Sequence, residues 1–298
     1  MKPPAFDYYA PSSLEEALSL KAQLGEDAKF LAGGQSLVPA MNFRLVRPAA
    51  LIDLNGLTDL DHLESEADGT LRIGALTRYA RLERDPRVRS SQPMLAEALP
   101  HVAHPQIRTR GTLCGNMAHA DPASELPAVM LAQQALFTLC SGTTRRVVPA
   151  EGFFQGLFTT ALRAEELLLE IRLPPAAART GSAFEEAARR RGDYAMMAVA
   201  ASVTLAEDGR CQRARIALCN AGPAAWLAER AAGLLVGTRG IEAVADAAEA
   251  VQRDIDPPGS VQASPAFQRH LAGVLTRRAL VTAFGRAGGS TGRTGAAS

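Results

Sequence analysis

The residues with the most chemistry to offer are crowded into one stretch, RTRGTLCGNMAHADPASELP, from Arg108 to Pro127. Between Thr109 and Asp121 it holds Gly111, Thr112, Gly115, Asn116 and His119. Small and polar residues of this kind let a backbone turn sharply and leave its N–H groups pointing outward. The stretch is patterned as neither helix nor strand until Asp121-Pro122. From there Ala123, Leu126, Val129, Met130 and Leu131 recur at helical spacing. A polar turn that feeds a helix start presents unpaired N–H groups and binds anions. A second turn of the same character, Ala32-Gly33-Gly34-Gln35-Ser36, lies upstream. Two such turns predict a ligand with an extended, phosphate-bearing body.

Other chemistries find weaker support. Gly33-Gly34-Gln35-Ser36 is neither G-x-G-x-x-G nor a P-loop. His101, His104 and His119 could be assembled into a metal site, but no Cys, Asp or Glu is placed convincingly with them; hydrogen bonding within turns is the plainer role. Ser36, Ser124 and Cys114 are possible nucleophiles. No G-x-S-x-G elbow surrounds either serine, and a structural role suits Cys114 better. Asp121 and Glu125 are four apart. They can accept hydrogen bonds from ligand hydroxyls, or simply favour the positive end of a helix. Tyr194 follows the solvated run Arg189-Arg190-Arg191 and could stack on an aromatic cofactor at the mouth of a cleft.

The elements that must position these residues are legible in outline. The 298 residues exceed what one small core needs, and 47% hydrophobic with 21% charged residues is ordinary for a globular protein. A net charge of +1 argues against a nucleic-acid or membrane-surface partner. Cys114, Cys140, Cys211 and Cys219 have neither C-x-x-C nor zinc-finger spacing, so free thiols in a reducing compartment are expected. The N-terminus, MKPPAFDYYAPSS, lacks an apolar leader core, which predicts a cytoplasmic location. No apolar run reaches the roughly 20 residues of a membrane span.

Ser13 and Glu16 form a capping box ahead of a helix to Leu24. A strand over 29–32 enters Gly33-Gly34, and a helix over Ser36–Leu45 follows. Strands are predicted over 50–54 and 71–75, the second in a hairpin through Asp68-Gly69. Thr77 caps a helix to Leu82, and another covers Met94–Val102. A hairpin turns at Ser141-Gly142, and a strand covers Leu167–Leu173. PPAAARTG, Pro174 to Gly181, is a spacer between units. Beyond it come strands over 195–205 and 214–218, then helices over 224–235, 241–251 and 265–284.

Taken in order, these segments resemble the FAD-binding medium subunits of molybdenum hydroxylases, the carbon monoxide dehydrogenase and xanthine dehydrogenase family. Ala32 to Pro39, with Met41–Leu45 behind it, is similar to that family's first FAD motif. Ile107 to Asn116, continuing through Ala118 to Pro122, is similar to its second. FEEAARRRGDYA, Phe184 to Ala195, resembles the opening of its C-terminal domain. The resemblance implies an α+β fold: a two-lobed FAD-binding domain of the PCMH, or vanillyl-alcohol-oxidase-like, type, followed by a C-terminal α+β domain of the CO dehydrogenase flavoprotein type. The FAD domain would span 1–175, with lobes of about 1–55 and 56–175. The C-terminal domain would span 180–286, and 287–298 would be a disordered tail.

It further implies non-covalent FAD, since Gln35 and Ser36 offer no histidine for attachment. The cofactor-binding residues it implies are Ala32, Gly33, Gly34, Gln35, Ser36, Leu37, Thr112, Leu113, Cys114, Gly115, Asn116, His119, Glu125, Leu168, Leu169 and Tyr194. Residues 32–36 and 112–116 would meet the pyrophosphate, and Tyr194 the isoalloxazine. No catalytic residue and no metal ligand is implied on this chain. Molybdopterin would sit on a large partner and two [2Fe–2S] clusters on a small one, in a heterotrimer that dimerises, with electrons passed through FAD to an external acceptor. Two departures stand out. Cys114 replaces the first glycine of a T-x-G-G turn, which predicts a φ that a side chain tolerates, and Glu185 stands where relatives carry a lysine. A stand-alone flavin oxidoreductase and a non-enzymatic anion-binding module are the alternatives.

Overall fold

The computed structural model describes residues 2–240 and 242–289. The first lobe alternates strand and helix: β1 (Asp7–Tyr9), α1 (Leu14–Leu24), β2 (Ala28–Leu31), α2 (Leu37–Asn42) and β3 (Ala50–Asp53). The strands form a parallel sheet in the order β1-β3-β2. Ser13 Oγ accepts from the Glu16 N–H at 3.1 Å, and Glu16 reaches back to the Ser12 N–H at 2.7 Å, so the predicted box closes one residue early. Buried Lys21 donates to the carbonyls of Gly25 and Ala28 at 2.7 and 2.6 Å. These bonds give the buried ammonium its acceptors and tie the end of α1 to the start of β2. All three strands run the same way, so Tyr9, Leu31 and Asp53 end at one edge. Ligands of parallel sheets gather at that carboxyl edge.

The second lobe is an antiparallel sheet with helices packed on it. It runs through β4 (Leu63–Ser65), β5 (Leu71–Gly74), α3 (Tyr79–Arg84), α4 (Pro86–Ser91), α5 (Pro93–Ala98), α6 (Pro105–Arg108), α7 (Leu113–His119) and α8 (Glu125–Ala132). It continues with β6 (Leu136–Ser141), β7 (Thr144–Pro149), α9 (Ala150–Phe153), β8 (Phe154–Gly156), β9 (Thr159–Thr160) and β10 (Leu167–Leu173). The strand order is β4-β5-β10-β6-β7. Both predicted hairpins are present, β4–β5 around Gly69 (φ +88) and β6–β7 around Gly142 (φ +51). Thr77 is not a helix cap. Its hydroxyl donates to the His62 carbonyl at 2.7 Å, and the helix begins at Tyr79.

The third unit holds β11 (Thr180–Ala187), β12 (Met197–Leu205), β13 (Cys211–Cys219), β14 (Trp226–Leu227), α10 (Glu229–Gly233), α11 (Val244–Asp254) and α12 (Pro265–Ala287). Its four strands pair in sequence order. β12 explains how the halves join. Met197, Val199, Ala201 and Val203 face the core made with α11 and α12, whereas Ala198 and Ala200 belong to the core of the preceding residues. Alternation puts successive side chains on opposite faces, and the alanines let α8 approach closely. Every residue of α8 is buried. Arg215 on β13 donates twice to the Leu131 carbonyl, at 3.1 and 2.8 Å, near the carboxyl end of α8, and pairs with Glu151. A cation there complements the helix dipole.

The expected helix over 224–235 is instead β14 followed by the five-residue α10. The last helix continues to Ala287, into the expected tail; residues 290–298 lie outside the described residues, as does Ile241 of the expected 241–251 helix.

Candidate functional site

The turn after β2 is open-handed. The N–H groups of residues 33 to 37 donate to no acceptor among the described residues, although Val38 N–H already bonds Gly34 O at 3.1 Å. Gly34 sits at φ +68, a conformation that side chains resist. Gly33 is small for a different reason. A Cβ there would lie 2.5 Å from Arg110 O and 2.8 Å from Gly111 Cα. The two glycine turns that the sequence sets 78 residues apart therefore touch, backbone on backbone.

Side chains lock that contact. Arg78 donates to Arg110 O and to Asn55 Oδ1, and Asn55 Nδ2 donates to Ala32 O at 3.0 Å. Ala32, Gly33, Gly34 and Gln35 line a cavity of about 300 Å³ with Val38, Pro39, Asp53, Asn55 and Arg110. Burial raises the Asp53 carboxyl, but hydrogen bonds from Tyr8 (2.5 Å) and Asn55 more than offset it and hold it below the usual range. The cavity is thus lined by unpaired amides, with Arg110 and Asp53 at its side. Arg110, Arg78 and Asn55 were not found from the sequence. Their roles arise from partners 23 to 32 positions away, which no local pattern reveals.

From Gly111 the chain enters α7, where the sequence predicted only a turn. Thr112 is its cap, accepting from the Gly115 N–H at 3.1 Å, and a Cβ on Gly115 would lie 2.7 Å from that hydroxyl. Gly115 N–H is consequently spent on the cap and Leu113 N–H faces Thr77 across the bridge between Arg78 and Thr112, leaving Cys114 as the unpaired amide of the first turn among the described residues. Cys114 has ordinary helical geometry, so the glycine it replaces is not needed for a positive φ. Its thiol is buried, which pushes its pKa up and suits it to packing rather than nucleophilic attack.

Seven helical residues span about 10 Å, and the far end of α7 meets a second cluster. Asn116 and Ser124 bond each other reciprocally, at 2.7 and 3.0 Å, closing the loop that leads into Glu125. Glu125 is 5% exposed, and burial first, then Glu186 and Asp121, pushes its carboxyl up to about 8. Tyr194 arrives from the third unit, 64% exposed as a residue. Its phenol is raised by partial burial of the hydroxyl end and by Asp121 beside it. Asn220, at φ +57, holds this junction: its N–H donates to Pro122 O at 2.6 Å and its amide to Ala195 O at 3.0 Å. His119 packs on Phe158 with ring centres 5.0 Å apart. The other histidines lie elsewhere, His101 by Phe184 and Glu186, His104 against Gly192.

Of the predicted site residues, Ala32 to Leu37 therefore meet, through Gly33, the turn that opens α7, while Asn116, His119, Glu125 and Tyr194 gather about its far end. Leu168 and Leu169 are both buried in the core. Leu169 lines a different cavity, of about 440 Å³, between Glu170, Arg72, His62 and the start of α1. Asn116→Leu is expected to leave the buried Ser124 hydroxyl unpaired, at a cost of about 1–3 kcal/mol, and to weaken ligand binding about tenfold by loosening Glu125. A binding titration unchanged by the substitution contradicts this role.

Residues 4–176 match the model of the "FAD binding domain in molybdopterin dehydrogenase". The chain belongs to this family. Residues 182–283 match the CO dehydrogenase flavoprotein C-terminal domain. This FAD-binding subunit is 41% identical to the 6-hydroxypseudooxynicotine dehydrogenase complex subunit alpha of Paenarthrobacter nicotinovorans, over 96% of its own length and 97% of that chain. It superposes on a chain of the Hydrogenophaga pseudoflava carbon monoxide dehydrogenase with a TM-score of 0.92, at 41% identity and covering 96% and 99% of the two chains. Quinoline 2-oxidoreductase of Pseudomonas putida 86 gives 0.89 at 38% identity, covering 97% and 99%. Among the described residues no helix is long and apolar enough to cross a membrane.

Proposed function

We infer that this chain is the FAD-carrying electron-transfer subunit of a molybdopterin-dependent dehydrogenase or hydroxylase. The observation that carries the inference is the row of unpaired amides at 33–37, joined through Gly33 to the turn that opens α7. That cradle suits a pyrophosphate, which backbone nests bind through several N–H groups at once. Arg110 would neutralise part of its charge, and the amide of Cys114 would add to the set. Glu125, its carboxyl pushed up to about 8 by burial, can donate one hydrogen bond when protonated and accept others, which suits ligand hydroxyls or ring heteroatoms. Tyr194 would cover the ring system from the third unit. Bound FAD supplies two-electron and one-electron chemistry that no side chain here offers. The protein orients the cofactor, shields one face and sets the charge around it.

Electrons would arrive from [2Fe–2S] clusters on a small partner, supplied by molybdopterin on a large one, and leave to an external acceptor. The assembly would be a heterotrimer, paired into a dimer, in the cytoplasm. A subunit role is favoured over a stand-alone oxidoreductase because a relative matched over 96% of this chain is itself named as a complex subunit. The test is a fluorescence titration of the apo-chain with FAD. Saturable uptake, with all flavin released by denaturant, is expected; a chain that takes up none, or that keeps it covalently, overturns the reading. Tyr194→Ala is expected to shift the bound flavin's absorbance and fluorescence while changing stability by less than about 0.5 kcal/mol, as for other exposed positions. An unaltered flavin spectrum removes Tyr194 from the site.

A further inference from the structure

The hairpin β8–β9 holds a backbone conformation that its side chain does not favour. Gly156 pairs with Thr159, so Leu157 and Phe158 form a two-residue loop, and Phe158 sits at φ +51. Glycine or asparagine ordinarily takes such a position, and a bulky aromatic there is strained. The base of the hairpin is fixed. Phe153 and Phe154 pack edge to face with Phe137 and each other, ring centres 4.4 to 5.9 Å apart, and Ala161 N–H donates to Phe153 O at 2.9 Å. Thr159 Oγ1 closes the tip by donating to Leu157 O, also at 2.9 Å. What the strained residue makes is a contact across the fold: its ring lies on His119, centres 5.0 Å apart and planes inclined by 33°. Strain that the surroundings hold in place gathers at functional positions.

His119 is the half-buried histidine that lacks other support. His62 and His101 each have a carboxylate, at 3.0 and 3.3 Å. Neither ring nitrogen of His119 has a hydrogen-bond partner among the described residues. The imidazole closes α7, two residues before Asp121, whose carboxylate also acts on Glu125 and on the Tyr194 phenol. Burial lowers the imidazole's pKa and Asp121 opposes this only in part, so near pH 7 one ring nitrogen donates and the other accepts. We propose that Phe158 is a positioning residue of the cofactor site: its ring fixes the His119 imidazole, and the imidazole hydrogen-bonds the bound ligand. The proposal rests on the reading of this chain as the flavin subunit. Leu157, on the same turn and 60% exposed, makes no such contact and serves as the control.

The test is FAD titration of the full chain in a double-substitution cycle, read beside denaturant unfolding of the same apo-chains. Phe158→Gly suits φ +51. It should leave stability at or above wild type, yet raise the FAD dissociation constant about 2- to 10-fold, the size of one aromatic pair. Phe158→Asn, which also suits the turn, carries the same expectation. His119→Ala should lose at least as much affinity. In that background Phe158→Gly should cost nothing further, because residues acting through one contact are not additive. Phe158→Tyr and Leu157→Ala should bind like wild type. Proton NMR of the apo-chain gives a readout that needs no flavin. The His119 ring signal, assigned by its loss in His119→Gln, should titrate below the ordinary 6.5 in wild type and closer to it in Phe158→Gly. Unchanged affinity in Phe158→Gly, a loss that persists in full without His119, a loss matched by lower stability, or an unmoved His119 titration overturns the proposal. A wild-type chain that takes up no FAD overturns the flavin reading instead, and the ligand role of His119 with it.

Discussion

Gly33→Ala is expected to strip FAD from the protein while leaving most of the fold in place. The added methyl would sit 2.5 Å from Arg110 O and 2.8 Å from Gly111 Cα, and neither can retreat. Arg110 O is held by Arg78, and Gly111 O accepts from Tyr79 N–H at 3.0 Å. Gly111 in turn has the Tyr79 ring against it, 2.8 Å from where its own Cβ would be. The two turns must separate. Overpacking of this kind costs about 1–3 kcal/mol, which is roughly 5- to 150-fold in FAD affinity if borne by the site. Gly34→Ala meets mainly the backbone penalty of φ +68, about 1–2 kcal/mol, and should retain more flavin. The structure gives close approach to Gly33, with protein backbone as the neighbour. Flavin-to-protein ratios and apo-chain titrations of the two variants check this order, and full occupancy in Gly33→Ala contradicts it.

The second large effect is a pH dependence centred on Glu125. Its carboxyl has an ordinary value of 4.5 when exposed and is pushed up to about 8 in the folded chain, first by burial. Between those values the folded state holds a proton that the unfolded state has released. Stability then falls as pH rises, because the slope follows protons bound by the unfolded minus the folded state. The contribution is fully present below about pH 4.5 and is lost as pH passes 8. Each pH unit within that window is worth up to about 1.4 kcal/mol, so the total reaches a few kcal/mol. Glu125→Gln removes the titration. Denaturant unfolding of the two apo-chains should therefore show the variant gaining on wild type steadily from pH 5 to pH 8. A difference that stays constant with pH means that Glu125 is ionised in the folded chain.

The sequence carried some features well because local chemistry decides them. Ser13 with Glu16, the Asp68-Gly69 turn and the Ser141-Gly142 turn each specify their geometry within four residues. The two glycine turns were visible for the same reason. α7 was not, because Gly115 and Asn116 are weak helix formers. What makes it a helix is the Thr112 cap and the burial of Leu113, Cys114 and Met117, which a one-dimensional pattern cannot weigh. β11 was hidden behind the Pro/Ala spacer, although Thr180 to Ala187 pairs residue for residue with β12. The site's supporting residues were the least legible. Arg78, Asn55 and Asn220 act on backbone atoms brought near only by the fold, and Leu169, expected beside the cofactor, faces the cavity with Arg72 and Glu170.

The central claim is that this chain carries the flavin of a molybdenum-containing electron-transfer assembly. The most direct measurement is metal and flavin analysis of the complex purified through a tag on this chain at its native expression level. The account predicts FAD, iron and molybdenum in fixed proportion, with the flavin alone remaining on this chain after the subunits are dissociated. A flavin-free chain, or a yellow chain that purifies by itself and oxidises substrate without iron or molybdenum, would contradict it.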